Sequence, residues 1–164
     1  MPLATKRARR LKFLAGLTGL VGLTLLAAGV TLSAAAPSGK ALPPLQPWVD
    51  VTPTGGLLRI PAGTYAGPVV IDRPMTIDGE GKVTLDGADH GTVLSIKTDN
   101  AIIRNLRIIR SGTSHDRIDS GILVEGNHNR IESNQVEDVL FGITLQRAND
   151  NLVANNTIRS KPWD

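Results

Sequence analysis

Ile96-Lys97-Thr98-Asp99-Asn100-Ala101-Ile102-Ile103-Arg104-Asn105-Leu106-Arg107-Ile108 returns twice more along the chain, as Val124 to Val136 and as Leu145 to Ile158. In each copy an apolar residue is followed seven or eight positions later by a second (Ile103, Ile131, Val153), and five positions after that by a third (Ile108, Val136, Ile158). No stretch holds a 3.6-residue period, so these segments are not amphipathic helices. They predict a coil of three short strands per turn, stacked on the next coil. That is an all-β fold, a right-handed single-stranded parallel β-helix. Stretches about seven residues apart are expected to lie over one another as layers, with Ile103, Ile131 and Val153 in a single interior column.

The composition agrees. Only five aromatic side chains are present (Phe13, Trp48, Tyr65, Phe141, Trp163), and there is no cysteine. A solenoid fills its interior with stacked aliphatic residues and needs few aromatic ones. The absence of cysteine excludes a disulfide staple or a thiolate metal site. The net charge of +3 is misleading, because five of the eighteen basic residues (Lys6, Arg7, Arg9, Arg10, Lys12) lie in the first twelve positions. Without them thirteen basic residues face fifteen acidic ones. No basic stripe or aromatic stacking platform is left, which argues against a nucleic-acid partner.

Those early cations precede an uncharged run from Phe13 to Ala36, the pattern of an export signal. Residues 1–36 are therefore read as a signal helix, either cleaved after Ala35 or retained as a membrane anchor. In both cases the remainder is placed outside the cytoplasmic membrane, in the periplasm, with the basic end inside. Residues 37–47 carry Pro37, Pro43, Pro44 and Pro47 and read as an extended linker. Residues 48–164 are assigned to the β-helix repeats. Leu45 to Val51 is expected to form a short amphipathic turn covering the first coil, because an uncovered first layer would expose unpaired backbone groups.

Strands are expected at Leu57–Ile60, Val69–Ile71, Met75–Ile77, Val83–Leu85, Val93–Ile96 and at the repeat positions beyond, with Pro61 to Tyr65 as a turn. Asp78-Gly79 and Asp86-Gly87 mark corners, where Gly tolerates positive φ and Asp bonds the local backbone. Asn129 and Asn151 fall at equivalent corners, as do Asn134 and Asn156. Stacked asparagines there are expected to hydrogen-bond from coil to coil.

One interval breaks the rhythm. Val136 to Ile143 spans seven residues, but the matching step from Ile108 to Ile122 spans fourteen. The excess lies within Ser111-Gly112-Thr113-Ser114-His115-Asp116-Arg117-Ile118-Asp119-Ser120. Solenoids place such insertions as outward loops, often on a binding face. His115, Asp116 and Asp119 are candidate metal ligands, since imidazole suits copper and zinc and carboxylates suit harder ions. The plain alternative is a solvated loop. Asp116 and Asp119 are also candidates for a hydrolase pair, although β-helix hydrolases use carboxylates projecting from a sheet face and acids on a loop beside Arg117 are usually just solvated. No phosphate loop, zinc spacing or nucleophile triad is present, and nothing in the sequence signals catalysis.

Several motifs go beyond a generic coil. The stretch from Arg59-Ile60-Pro61-Ala62-Gly63-Thr64-Tyr65 to Asp72-Arg73-Pro74, then Thr84-Leu85-Asp86-Gly87, Gly91-Thr92-Val93-Leu94, Ser111 to Asp116, and Val139 to Asn151, closely resemble the NosD family. These are periplasmic maturation proteins of nitrous oxide reductase. The resemblance runs from about Leu45 to the end of the chain. It implies a non-enzymatic, exported β-helix that docks on an ABC transporter (an ATPase and a membrane subunit). It further implies a role in assembling the reductase's copper centres, with Cu(I) handed over by a copper chaperone lipoprotein. The implied cofactor is transiently bound copper, for which His115 is the candidate ligand, with Ser114, Asp116 and Asp119 as the partner-docking loop. Family members are longer, so the chain reads as an N-terminal fragment ending in mid-solenoid at Asp164. The alternative reading is a carbohydrate-binding or polysaccharide-cleaving β-helix, which rests on the fold alone.

Overall fold

Short apolar stretches separated by Asp, Asn and Gly corners give short strands, and among the described residues these strands pair in parallel. The computed structural model describes residues 41–162. The predicted signal helix and the start of the linker lie outside the described residues. Among the described residues, helix α1 (Gln46–Val51) precedes β1 (Leu57–Arg59), β2 (Gly63–Ala66), β3 (Val69–Ile71), β4 (Thr76–Asp86), β5 (Leu94–Ile96) and β6 (Ile102–Ile109). Then follow β7 (Ser120–Val124), β8 (Arg130–Glu132), β9 (Gln135–Val139), β10 (Phe141–Leu145), β11 (Leu152–Ala154) and β12 (Thr157–Ser160).

These strands form the three faces of a parallel β-solenoid. The first face stacks β1, the start of β4, the start of β6, β8 and β11. The second stacks β2, the end of β4, the end of β6, β9 and β12. The third stacks β3, β5, β7 and β10. Ile77, Ile103, Ile131 and Val153 occupy one register position, so the expected column exists. Ile77, Ile103 and Ile131 are at most 1% exposed, whereas Val153 is 41% exposed because no described coil rests on it.

The layer spacing differs from the expectation. Ala101 pairs with Asn129, 28 residues on, and Asn129 with Asn151, 22 residues on. Seven residues separate neighbouring faces of one coil: Ile96 belongs to the third face and Ile103 to the first. The expected turn at Pro61–Tyr65 is also partly strand, because β2 runs alongside β4 and buries Tyr65 over Leu85.

The lower end is closed by side chains that imitate a strand. Gln46 Oε1 accepts from the Val70 N–H at 2.7 Å, and its Nε2 donates to the Val70 carbonyl at 3.0 Å. One amide thus satisfies both outward backbone groups of the β3 edge, which would otherwise offer a template for pairing. Arg73 donates to the carbonyls of Val49, Asp50 and Thr52 at the end of α1. Leu45 and Val49 are fully buried on the first coil, as an amphipathic cover requires. Packing begins before α1, inside the stretch read as linker: the Pro43 carbonyl accepts from the Ala66 N–H, and Pro44 bridges Ala66.

The corners carry the asparagine ladders. Asn129 Oδ1 accepts from the Ala101 N–H at 2.8 Å, and its Nδ2 donates to the Thr98 carbonyl at 2.9 Å. Asn151 repeats the arrangement on the Asn129 N–H and the Gly126 carbonyl. Asn134 holds the Leu106 N–H and the Ile103 carbonyl, and Asn156 holds the Asn134 N–H and the Ile131 carbonyl. Most of these bonds run to backbone, and Asn134 Nδ2 also donates directly to Asn156 Oδ1 on the next coil at 3.0 Å, as expected of stacked asparagines. The left-handed residue is the one before each asparagine: His128, Asp150, Ser133 and Asn155 all have φ between 53° and 56°. The Asp-Gly corners work differently from the expectation. Asp78 and Asp86 do accept from the local N–H groups of Glu80 and Ala88. Yet positive φ falls on Glu80, Ala88 and Asp89 rather than on Gly79 or Gly87. Those glycines are needed for close approach. A Cβ on Gly79 would lie 2.5 Å from the Asn105 carbonyl oxygen, and one on Gly87 would lie 2.5 Å from that of Arg110.

Candidate functional site

The insertion between β6 and β7 is built on a buried root. Arg110, the residue before it, has φ 57° and donates from Nε and Nη2 to both carboxylate oxygens of Asp86, at 2.8 and 2.6 Å. Burial alone would raise the Asp86 pKa. The paired Arg110 guanidinium and the Ala88 N–H outweigh it and hold the carboxyl below its ordinary value. Asp86 in turn raises the Arg110 pKa through the same hydrogen bonds. Asp78 is lowered in a similar way, first by the Asn105 amide and also by the Glu80 N–H and Arg104, against some burial.

A carboxyl whose folded pKa is depressed stabilises the fold above the unfolded value and loses that contribution as pH falls through the folded one. We therefore expect unfolding free energy to drop below about pH 4. Urea titrations between pH 6 and pH 3 measure it. Asp86→Asn should be less stable at pH 6 and lose less on acidification than the parent, whereas parallel acid limbs would refute this role.

Beyond Arg110 the chain folds over the coil. Ser111 and Ser120, at the two ends, are fully buried. Ser111 Oγ accepts from the Leu140 N–H at 2.9 Å, and the Gly112 N–H donates to the Gly91 carbonyl at 2.8 Å. His115, Asp116 and Arg117 lie exposed, and Ser114 is half-buried. The His115 ring stands edge-on to Phe141, with centroids 5.7 Å apart and an interplanar angle of 85°. This aromatic contact fixes the imidazole over the start of β10.

Asp119 is the site residue that departs from its expected place. It is 2% exposed, and its Oδ2 accepts from the Ser114 N–H at 2.9 Å. Its carboxylate therefore faces into the loop and cannot serve as a docking surface. Sequence alone gives no sign of which loop acid turns inward; in the structure the Asp119 carboxylate lies against Gly112, where a Cβ would clash with Oδ2.

His90 and His115 lie on successive coils at the corner between the second and third faces, where the Gly112 N–H donates to the Gly91 carbonyl, and His128 lies at the corner between the third and first faces. His128 is near Asp150, with Nε2 3.7 Å from Oδ2. Among the described residues no three His, Cys, Asp or Glu side chains converge as a metal-ligand group. Among the described residues His115 therefore belongs to no cluster of three such side chains. The second face also carries two shallow depressions of about 380 and 330 Å³ that meet at Arg107, whose guanidinium is paired to Glu137 at 2.8 Å.

The coils and the loop match a known group. Residues 75–162 fit the family described as "Periplasmic copper-binding protein (NosD)". The chain belongs to the NosD family. One relative, "Probable ABC transporter binding protein NosD" of Pseudomonas aeruginosa, is 30% identical over 105 residues, covering 63% of this chain and 24% of the relative. Another of the same name from Stutzerimonas stutzeri is 26% identical over 140 residues, covering 84% of this chain and 30% of the relative. The chain thus spans less than a third of the length of these curated NosD relatives. No solved structure matches it. The matched region takes in the NosD-family coils from β4 onward, including the loop that carries His115.

Proposed function

We propose that this chain is part of an exported, non-enzymatic accessory protein that works with an ABC transporter in assembling the copper centres of nitrous oxide reductase. The observation that carries this reading is the family match across the coils, joined to relatives whose name is ABC transporter binding protein. Copper is cargo in this reading. His115 is one donor to it, and the remaining donors come from groups outside the described residues. A copper chaperone lipoprotein supplies Cu(I), and the loop tip around Ser114, His115 and Asp116 is the surface a partner touches. A loop tip on a rigid stack suits this task, since the scaffold fixes its position while its sequence remains free to specialise.

The test is genetic and chemical. In cells lacking the gene, nitrous oxide reductase purified from the periplasm should contain little copper, and the full-length gene should restore it. His115→Ala should leave the fold intact, by an unchanged unfolding midpoint, and lower copper loading severalfold. Normal reductase copper in the deletion strain would remove the assembly reading. Normal loading by the His115→Ala protein would remove the imidazole from it.

A further inference from the structure

The loop contains a residue that does not belong where it sits. Ile118 has φ 54°, in the left-handed region, where a β-branched side chain crowds its own backbone. Such a conformation persists only when its surroundings over-determine it. Here they do. The Ile118 N–H donates to the His115 carbonyl at 3.0 Å, and the Ser120 hydroxyl donates to the Ile118 carbonyl at 2.8 Å. The Asp119 N–H donates to the Ser114 carbonyl at 3.1 Å, and the Ser114 N–H returns to Asp119 Oδ2 at 2.9 Å. Two chain segments are therefore closed on each other through one buried carboxylate. Arg117 Nε stands 3.6 Å from its other oxygen, at a position open to solvent.

We infer that the Ser111–Ser120 loop is a latched two-state element, with Asp119 as the latch and the left-handed Ile118 as stored strain that favours release once the latch opens. Asp119 is a positioning residue: it touches no partner, and it sets where Ser114, His115 and Asp116 stand. The latch bond is made by the Asp119 carboxylate, while the root has its own attachments: Ser111 on Leu140, Arg110 on Asp86, and the Asp119 carbonyl, which accepts from the Phe141 N–H at 3.3 Å and from Ser111 Oγ at 3.4 Å. The bearing of the latch on partner docking rests on the function proposed above. The latch itself does not.

Amide hydrogen exchange on the full chain tests it. In Asp119→Ala, the amides of Ser114, Ile118 and Asp119 should exchange about 100-fold faster, while those of Ile122 to Val124 keep their protection, as expected for local rather than global opening. Asp119→Asn retains an acceptor oxygen and should bring the rates back to within about fivefold of the parent. Ile118→Gly relieves the strain without touching the latch, and should slow loop exchange about fivefold. Unchanged loop rates in Asp119→Ala would overturn the inference. So would loss of protection throughout the stack, which would make Asp119 a strut of the coil, or faster exchange in Ile118→Gly. If exchange follows the prediction while reductase copper loading is unaffected, the latch stands and the docking reading falls.

Discussion

Asn134→Ala is expected to cost about 3 kcal/mol of unfolding free energy, measured by urea titration at pH 7. The residue is 1% exposed, and the loss considered is that of its buried hydrogen bonds. Its Oδ1 holds the Leu106 N–H at 3.1 Å and its Nδ2 holds the Ile103 carbonyl at 3.1 Å. Leu106 and Ile103 are themselves 2% and 0% exposed. Leaving a buried donor or acceptor unmade costs about 1–3 kcal/mol each, more than the net gain of an ordinary hydrogen bond. Asn134→Asp should be nearly as damaging, since it keeps an acceptor but sets an oxygen against the Ile103 carbonyl. A change below about 1 kcal/mol for both variants would show that the ladder is decoration on a stack held by its apolar interior.

The second large effect concerns that interior. Ile131→Ala should destabilise by about 3–4 kcal/mol, the range for deleting a fully buried aliphatic side chain that leaves a cavity between packed layers. Ile131 is 0% exposed, with Ile103 on one side and Val153 on the other in the same register. Val153→Ala in the same column should cost about 1 kcal/mol, because Val153 is already 41% exposed. The contrast between two members of one column separates burial from chemistry. Equal costs would mean that exposure does not set the cost along this column; no cost at all for Val153→Ala would mean that the column stops before the last coil.

How much of this was legible in the residues depends on whether the signal repeats. Ile103, Ile131 and Val153 could be aligned because the same apolar pattern returns in three coils, and the asparagines at 129, 151, 134 and 156 could be paired for the same reason. A third ladder was equally readable and was missed. Asp99 Oδ1 accepts from the Asn127 N–H at 2.6 Å, and Asn127 Oδ1 from the Asn149 N–H at 2.8 Å, at the same 28- and 22-residue steps. The layer spacing was misjudged because seven residues is the more conspicuous interval, although it counts faces rather than coils. Features that occur once were not legible. Gln46 imitating a strand, Asp119 turned inward and Ile118 in the left-handed region each depend on tertiary neighbours with no echo elsewhere in the chain. That is also why the loop showed as an insertion in the sequence but its interior did not.

Register is what everything else stands on: the columns, the ladders, the placement of the loop and the closing of the lower end by α1. The chain has no cysteine, so a designed pair reports without background. Arg104 and Glu132 are cross-strand partners on the outer side of the first face, 28 residues apart in sequence. Neighbouring strands lie about 4.8 Å apart, within the Cα separation a disulfide spans. Arg104→Cys with Glu132→Cys should close rapidly under mild oxidation, and Arg104→Cys with Ser133→Cys, one residue out of register, should close far more slowly. Efficient closure of the second pair, or none of the first, would contradict the stacked coil on which the whole account is built.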